Sequence, residues 1–304
     1  MTGASHFLKD GYQMTAKHQK RVEILLEALP YIKEFSGKTV VIKYGGSAMK
    51  SDELKEGFAT DIALCKYVGM NPVIVHGGGP DISAYMEKLS MEIKFVEGLR
   101  VTDAATMELA KMVLVGKVNK EVVALINQHG VPAVGLGGDD GRLIMAEKRT
   151  VAGTAGDEID LGQVGRIVDI NTEVLESLGE DFIPVVASVG ADEQGISYNI
   201  NADEVASMLA VALEAEKVIF LTDVEGLYAD MEDPGSMISQ CPLADVDRMI
   251  AAGSISKGMI PKLKAVSRAL GGGVNSAHII DGRVPHAVLL EVFTRSGIGT
   301  KIEA

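Results

Sequence analysis

Cysteine is scarce in this chain of 304 residues, which contains only Cys65 and Cys241. Neither residue belongs to a CxxC pair or to a Cys/His spacing typical of zinc sites, so we expect neither structural zinc nor a disulfide framework. Long apolar runs are also missing. No segment approaches the roughly 18 apolar residues that a transmembrane helix needs, and charged residues interrupt the N-terminal region where a signal peptide would lie. These absences predict a protein of the reducing cytoplasm with no membrane partner.

Positive charge is in short supply as well. The chain carries 29 Lys and Arg residues against 42 Asp and Glu residues, which gives a net charge of −13. Nucleic acids and anionic membrane surfaces attract proteins through a broad basic field, which this balance does not provide. We therefore expect no nucleic-acid partner, and any lysine that binds an anion must act locally. With 47% hydrophobic residues the chain can still bury a substantial core.

After residue 35, short β-branched runs alternate with longer segments of helical periodicity. Strands are predicted at 39–44, 73–76, 132–136, 183–187, 218–221 and 277–280. Helices are predicted near 52–69, 80–89, 103–128, 201–213, 243–252 and 258–270. This alternation is typical of βαβ units around a parallel sheet. Glycines among β-branched residues at 142–170 indicate a hairpin or irregular strands there.

The N-terminal region precedes this pattern as an appendage. Polar residues 1–13 predict a flexible arm, and apolar positions spaced by three or four from Met14 to Ile32 predict one helix, which Pro30 would kink or end. Two roles stay open for that helix: a lid on the core, or a docking element for another subunit. A turn-rich break near 190–198 divides the remainder, which gives an arm and helix at 1–35, a first lobe at 36–195 and a second lobe at 196–304.

Two predicted strands end in glycine-rich turns. The first runs into Lys43-Tyr44-Gly45-Gly46-Ser47 and the second into His76-Gly77-Gly78-Gly79-Pro80. Glycines let backbone N–H groups approach an anion, and a helix that follows adds the positive end of its dipole. A lysine that ends a buried strand and precedes two glycines is poorly explained as an ordinary surface lysine. The two turns therefore predict a cradle for polyphosphate.

Two common nucleotide-binding motifs do not fit these turns. A P-loop ending at Lys38-Thr39 would require glycine at position 32, where the chain has Ile32. The second turn does not complete GxGxxG, because the position of the last glycine is occupied by Ile82. A further glycine-rich run at 135–141 is explained equally well as a turn between edge strands or as a ligand-binding loop.

Six segments, taken in order, resemble the amino acid kinase family over residues from about 14 to 302. Within that family the similarity is greatest to the arginine-sensitive members that act on N-acetyl-L-glutamate. The segments are Lys43-Tyr44-Gly45-Gly46-Ser47, His76-Gly77-Gly78-Gly79-Pro80, Gly98-Leu99-Arg100-Val101-Thr102, Tyr198-Asn199-Ile200-Asn201-Ala202-Asp203, Thr222-Asp223-Val224-Glu225-Gly226-Leu227-Tyr228 and Lys257-Gly258-Met259-Ile260-Pro261-Lys262.

The resemblance implies an α/β fold, a three-layer αβα sandwich around a mainly parallel central sheet with an N-terminal helical extension. It assigns substrate binding and dimerisation to 36–195 and ATP binding to 196–304. It further implies transfer of the ATP γ-phosphoryl group to the side-chain carboxylate of N-acetyl-L-glutamate. A carboxyl group with a pKa of about 4.3 is already ionised at neutral pH, so no general base is needed. Catalysis must come from positive charge and oriented N–H donors.

The resemblance also assigns roles to individual residues. Lys43 and Lys262 would face the phosphoryl oxygens, with Asp203 orienting both. The sequence alone is less decisive for Lys262, because Lys264 lies two residues further on, and it would explain Asp203 as a carboxylate favoured at a helix start. His76 is not assigned as a base. Substrate binding falls to Gly78, Gly79, Arg100 and Asn199, although Arg100 could instead be a solvated loop residue. Nucleotide binding falls to Gly45, Gly46, Asp223, Gly226, Tyr228, Lys257 and Met259. Three of these also have a structural explanation: Asp223 could cap a turn, Tyr228 could pack against neighbours and Met259 could fill the core.

Cofactors and partners follow from the same resemblance. The cofactor is ATP, with Mg²⁺ carried by the nucleotide and no protein ligand set assigned to the metal. The N-terminal helices of neighbouring dimers would interlace into a hexamer, a trimer of dimers. L-Arginine is the expected inhibitor. Its binding residues would be Tyr31, His278, Glu291 and Gly297.

Other functions remain open from the sequence. Glutamate, aspartate, carbamate and acetylaminoadipate kinases would share the fold and the lysines, and acetylaminoadipate is only one methylene longer than acetylglutamate. A catalytically silent, arginine-sensing scaffold would be a function of another class. Intact Lys43, Asp203 and Lys262 argue against that alternative.

Overall fold

A computed structural model describes residues 4–49, 51–152, 158–230, 233–253, 255–256, 258–294 and 297–304. Its strands are β1 Thr39–Tyr44, β2 Asn71–His76, β3 Phe95–Val96, β4 Leu99–Arg100, β5 Ala133–Gly137, β6 Ile144–Ala152, β7 Glu158–Ile170, β8 Ile183–Ala187, β9 Val189–Ala191, β10 Ser197–Asn199, β11 Lys217–Thr222, β12 Leu227–Tyr228, β13 Met237–Ile238, β14 Gln240–Pro242, β15 Ser276–Asp281 and β16 Thr300–Glu303. Its α-helices are α1 Ala4–Phe35, α2 Asp52–Tyr67, α3 Gly79–Lys88, α4 Ala104–Lys111, α5 Asn119–Gln128, α6 Glu173–Leu178, α7 Ala202–Ala212, α8 Leu243–Ala251, α9 Ile260–Gly271 and α10 Ala287–Phe293.

Eight strands form the central sheet, in the order β14-β16-β15-β11-β1-β2-β8-β5. Neighbouring strands are parallel except β15 and β16, which pair antiparallel. The inner strands are buried on both faces because helices cover each side. Val41 packs with residues of α7 and α9, whereas Val40 and Ile42 pack with α2 and α10 on the opposite face. The predicted three-layer αβα architecture is therefore confirmed.

A small four-stranded barrel of β6, β7, β9 and β10 lies beside the sheet. Its largest part is the antiparallel β6–β7 pair, which confirms the hairpin predicted for 142–170. The turn-rich break predicted near 190–198 is the antiparallel connection from β9 to β10 inside this barrel. The central sheet takes strands from both sides of that break, so the division into lobes remains a prediction.

The N-terminal helix is longer than predicted. It begins at Ala4, so residues 4–13 belong to α1 and not to a flexible arm, and it continues past Pro30 to Phe35. Proline removes one helical hydrogen bond, but the last turn remains helical because Phe35 is buried and Tyr31 packs on the same core. Of the helices in the described ranges, none has the length and apolar character that a membrane crossing requires.

The long helix predicted near 103–128 is interrupted. Residues Met112–Val118 form a π-helical segment between α4 and α5. Such wider turns are rare, and they are frequently found at functional sites. The segment places Leu114 and Val118 against Gly78, the residue that precedes α3. Hydrophobic periodicity at helical spacing cannot reveal this change of pitch.

The sheet brings the two glycine-rich turns together. Strands β1 and β2 are parallel and in register up to the pair Tyr44 and His76, so both turns leave the sheet at its carboxyl edge. Strand β11 pairs with β1 on its other side, so the strand order of the sheet continues from β1 in both directions. Parallel α/β sheets bind ligands outside the carboxyl ends of strands at such points.

Candidate active site

A cavity of about 290 Å³ opens at the carboxyl ends of β1 and β2. Its wall is formed by the glycine turn before α3, the β3–β4 hairpin, the start of α7 and the first turn of α9. Seven residues predicted from the sequence line it together: Lys43, Gly78, Gly79, Arg100, Asn199, Asp203 and Lys262. The apolar part of the lining consists of Ile82, Phe95, Leu99, Leu114, Val164, Ile200 and Ala202.

Asp203 lies between the two predicted catalytic lysines. Its Oδ1 is 3.1 Å from Lys43 Nζ and its Oδ2 is 3.0 Å from Lys262 Nζ. Only 8% of the Asp203 side chain is exposed, against 12% and 20% for the lysines. Burial by itself raises the pKa of the Asp203 carboxyl, but the charges and hydrogen bonds of Lys43 and Lys262 outweigh it and lower the pKa below its ordinary value. One anion thus holds two cations, which leaves an excess of positive charge at the cavity.

Local structure fixes each member of this triad. Lys43 is the penultimate residue of β1, beside the turn that begins at Gly45. Asp203 is in the first turn of α7, where Asn201 Oδ1 accepts hydrogen bonds from the backbone N–H groups of Asp203 and Glu204, at 2.8 and 3.3 Å. Lys262 is in the first turn of α9. Two helix starts and one strand end therefore meet at the carboxyl edge of the sheet.

Arg100 is a buried cation without a carboxylate partner in the described part of the chain. Its Nη2 donates to the Gly79 carbonyl at 3.0 Å and to Ser83 Oγ at 2.6 Å, and its guanidinium stacks on the Phe95 ring at 4.6 Å. The residue is 6% exposed, which excludes the alternative of a solvated loop arginine. A buried guanidinium that faces a cavity and lacks a counter-charge is suited to bind a ligand carboxylate.

Two residues that support this site, Thr102 and Ser83, were not assigned a role from the sequence. Asn199 donates from Nδ2 to Thr102 Oγ1 at 3.3 Å, and Thr102 Oγ1 donates to the Arg100 carbonyl at 2.7 Å. Ser83, which accepts from Arg100, lies one helical turn after Gly79 on α3. That spacing of four residues is the only signal in the sequence that could have pointed to it.

Gly78 is required by close packing. Its φ of −176° is accessible to any residue, but a Cβ there would lie 2.7 Å from Leu114 Cδ2 and 3.4 Å from Val118 Cγ2. The π-helical segment therefore closes over the glycine turn and supplies an apolar wall to the cavity. Without a side chain at Gly78, the backbone N–H groups at the start of α3 stay accessible from the cavity.

His76 does not line the cavity. Its Nδ1 bonds the Gly77 carbonyl at 2.9 Å, and its Nε2 lies 3.0 Å from Asn119 Nδ2. The ring is fully buried, and this burial lowers the pKa of His76 to about 4. A neutral ring with a proton on Nδ1 satisfies both contacts. Asn119, a buried amide that also bonds the Val185 carbonyl at 2.8 Å, carries no signal in the sequence.

Burial of neutral His76 predicts a pH dependence of stability. An unfolded histidine binds a proton below about pH 6.5, whereas the folded one does so only near pH 4. The contribution of His76 to the free energy of unfolding should therefore be fully present above pH 6.5. Acidification to pH 4 should lower the free energy of unfolding by about 3 kcal/mol through this residue. His76→Gln keeps a donor and an acceptor but cannot titrate, so urea unfolding should show a weaker pH dependence in that variant. Equal pH dependences would contradict a buried, neutral His76.

The described residues among those predicted to bind nucleotide lie outside the 290 Å³ cavity. Gly45 follows Lys43, and Gly46 adopts a left-handed φ of +60° that glycine tolerates. Asp223 directly follows β11, the neighbour of β1, so it leaves the sheet at the same edge. Lys257 lies outside the described residues. The other three follow β11 in the chain: Gly226 packs on Thr300, Tyr228 bonds Glu225, and Met259 is buried in the core.

A second, larger cavity of about 520 Å³ contains all four residues predicted to bind arginine. It lies at the amino ends of β11 and β15, on the sheet edge opposite the first cavity. Glu291 Oε1 lies 2.6 Å from His278 Nδ1, and Glu291 Oε2 accepts from the Ile298 N–H at 2.8 Å. The lining of this second cavity is acidic, with Glu34, Glu216, Glu291 and Glu303 against Lys217 and Lys301.

Gly297 and Lys217 shape this second cavity. Gly297 has a φ of +59°, and a Cβ at this position would lie 2.6 Å from Glu291 Oε2. Lys217 Nζ is 3.8 Å from the centre of the Phe35 ring, and burial lowers its pKa to about 8. Burial by itself raises the pKa of Glu291, but the His278 contact and two backbone N–H groups lower it below its ordinary value. Glu291 is therefore an anion within an acidic cavity.

Together, the fold and the first cavity define a phosphotransferase, and comparison with known proteins agrees. The chain belongs to the amino acid kinase family, whose model matches residues 38–281. It is 54% identical over 283 residues to the acetylglutamate kinase of Caldanaerobacter subterraneus subsp. tengcongensis, an alignment that covers 93% of each chain. It is 53% identical over 292 residues to that of Caldicellulosiruptor saccharolyticus, covering 96% of this chain and 99% of the relative.

Solved structures agree with the fold. The chain matches an N-acetylglutamate synthase from Neisseria gonorrhoeae, complexed with coenzyme A and N-acetyl-glutamate, with a TM-score of 0.81 and 26% sequence identity. That match covers 93% of this chain and 63% of the synthase. A carbamate kinase from Giardia, at 18% identity and a TM-score of 0.65, shares the fold.

Proposed function

We propose that this chain transfers the γ-phosphoryl group of ATP to the side-chain carboxylate of N-acetyl-L-glutamate, giving an acyl phosphate and ADP. The observation that carries the proposal is that one cavity contains both the Lys43–Asp203–Lys262 cluster and the unpaired Arg100 guanidinium. The first can neutralise a phosphoryl group and the second a carboxylate. The acetylglutamate kinases that match almost the whole chain support this choice of substrate.

The substrate would be held at two points. Its α-carboxylate would accept hydrogen bonds from Arg100, and its amide or α-carboxylate would meet Asn199. With Arg100 bound to the α-carboxylate, the remaining cations of the described lining are Lys43 and Lys262, so the side-chain carboxylate would point toward Lys43. That carboxylate is already ionised at neutral pH, which removes any need for a base such as His76.

During transfer, a carboxylate oxygen forms a bond to the γ-phosphorus while the bond to the oxygen bridging the β- and γ-phosphorus atoms breaks. Lys43 and Lys262 would stabilise the charge that spreads over the equatorial oxygens, and the N–H groups of the glycine turns would add fixed donors. Asp203 orients both ammonium groups. Because the lysines are already in place, little reorganisation is needed when the charge develops.

Magnesium would enter with the nucleotide. Where side chains are described, no group of three His, Cys, Asp or Glu residues is arranged to hold a metal ion. Mg²⁺ retains waters readily and prefers phosphate oxygens, so a nucleotide-borne ion is compatible with this donor set. Bound in this way, it would neutralise phosphate charge.

The proposal is tested by trapping the acyl phosphate with hydroxylamine. Acetylglutamate, glutamate, aspartate and acetylaminoadipate are supplied in parallel with ATP, and ADP release is followed in each. We expect hydroxamate from acetylglutamate in preference to the others. Faster reaction with acetylaminoadipate would reassign the substrate, and binding of ATP without any hydroxamate would favour a catalytically silent scaffold.

We further propose that L-arginine binds in the 520 Å³ cavity and inhibits the enzyme. The cavity combines a buried Glu291 carboxylate with three more acidic residues, which suits a guanidinium ligand. It also includes Tyr31 from α1 and Glu291 from α10, so a ligand there would contact both helices. Five apolar residues of α1 are exposed: Val22, Ile24, Leu25, Leu26 and Leu29. They support docking of this helix on other copies of the chain in a hexamer, and the molar mass of the protein in solution tests this.

Glu291→Gln should separate inhibition from catalysis. Removing the charge that would face the guanidinium should raise the half-inhibiting arginine concentration by about tenfold or more, while kcat without arginine stays near wild type. Activity is measured against increasing arginine for both proteins. A flat response of the wild type up to millimolar arginine would reject the site; equal inhibition of both proteins would reject the role of Glu291.

A further inference from the structure

Two consecutive carboxylates at the start of α7 both reach α9. Asp203 binds Lys262 in the first turn of α9, as described above. Glu204, the next residue, has Oε1 3.5 Å from Nη1 of Arg268, which lies near the other end of the same helix. The Arg268 side chain can reach back because helical side chains lean toward the N-terminus. The helix that carries Lys262 is therefore tied to α7 at two separate points.

Glu204 is also tied to the small barrel. Its Oε2 accepts from Arg149 Nη1 of β6 at 3.0 Å. A cavity of about 160 Å³ separates β6 from α9 at this place, and one face of α9 lines it through Pro261, Lys264, Ala265 and Arg268. Across the gap between these elements, Glu204 makes ion pairs with both.

Burial distinguishes this cluster from an ordinary surface ion pair. The Glu204 side chain is 12% exposed, whereas its partners Arg149 and Arg268 are 35% and 45% exposed. A carboxylate removed from water to this extent needs its counter-charges, so the bonds to the two arginines are strongly favoured over separation. Exposed pairs such as Asp245 with Arg248 on α8 lack that constraint.

The start of α9 is held by the burial of Met259 and Leu263 and by the Lys262–Asp203 ion pair, and not by a side-chain cap. Met259 precedes the helix without a side-chain hydrogen bond to cap it, and Lys262 follows within one turn. The position of the Lys262 ammonium thus depends on how α9 as a whole lies against α7. At the far end, a Cβ at Gly272 would lie 2.4 Å from Val211 of α7, so the two helices are closely packed there too.

We propose that Glu204 is a positioning residue for phosphoryl transfer, holding α9 through Arg268, and the barrel through Arg149, so that Lys262 stays in register with Asp203. The inference rests on the proposed function. Displacement of a catalytic group by about 1 Å can cost on the order of a hundredfold in rate. Loosening one of two attachments should cost less, about tenfold.

The test measures the single-turnover rate of phosphoryl transfer by rapid quench. Glu204→Gln keeps the shape of the side chain and removes its charge, and should slow the transfer by about tenfold with KM for both substrates changed less than about twofold. Arg268→Gln, at a more exposed side chain, should have a similar effect. The double variant should be no slower than the slower single variant, because both changes break one link.

Asp245→Asn is the matched control, since it removes a carboxylate from an arginine pair on α8 without touching α7 or α9. Its transfer rate should equal that of the wild type. A wild-type rate in Arg268→Gln, or additive losses in the double variant, would overturn the inference even if the melting temperature fell. Failure of the wild type itself to form acyl phosphate would instead overturn the proposed function.

Discussion

Lys262→Ala should lower kcat for acyl phosphate formation by about 10²–10³-fold, with KM for acetylglutamate changed less than about threefold. The ammonium group lies 3.0 Å from Asp203. In the proposed mechanism it faces the phosphoryl oxygens and not a carboxylate of the substrate, so its contribution belongs to the transition state. Removing it leaves one lysine to stabilise the charge on the transferring oxygens. A loss of kcat of similar size is expected for Lys43→Ala, because the Lys43 ammonium lies 3.1 Å from the other oxygen of Asp203.

Lys264→Ala provides the matched control. Lys264 is two residues further along α9 and faces the 160 Å³ cavity, away from Asp203. Position along the chain was less decisive between these two lysines, the family resemblance favoured Lys262, and the structure places Lys262 beside Asp203. An equal loss of kcat in both variants would show that the effect comes from damage to α9. An unchanged kcat in Lys262→Ala would remove the proposed mechanism.

Arg100→Lys should raise KM for acetylglutamate by about a hundredfold while KM for ATP stays within about threefold. Lysine keeps the charge but cannot donate from a planar fork, and it would lose the stacking on Phe95 and the bonds to Gly79 and Ser83. Charge-assisted hydrogen bonds contribute about 1.5–3 kcal/mol each, which makes a loss of this size reasonable for a bidentate contact. Initial rates over a range of each substrate separate the two KM values.

Arg166→Lys is the control for this substitution. Arg166 pairs with Glu147 on the outside of the small barrel, where 58% of its side chain is exposed. Neither KM should change there. An Arg100→Lys protein with wild-type KM for acetylglutamate would show that the substrate carboxylate binds elsewhere in the cavity.

Residue type and local order explain what was predicted correctly. The alternation of β-branched runs with helical periodicity predicted the parallel sheet, and all six predicted strand intervals were correct to within two residues of the bounds found. Prediction failed at α1 and at the π-helical segment. Burial of Phe35 and Tyr31 keeps α1 helical past Pro30, and contact with Gly78 accompanies the wider turn at Leu114; both are tertiary effects that local spacing does not encode.

Sequence alone determined which chemical groups this protein brings to an anion: glycines after two strands, lysines, a carboxylate at a helix start and an arginine, all of which follow from residue identity and near neighbours. Only the tertiary structure decided which of these groups meet. Asp203 and Lys262 are 59 positions apart and form an ion pair because α7 and α9 pack on the same face of the sheet. Glu204 becomes a link between α9 and β6 for the same reason, since contacts across elements depend on packing that no local pattern records.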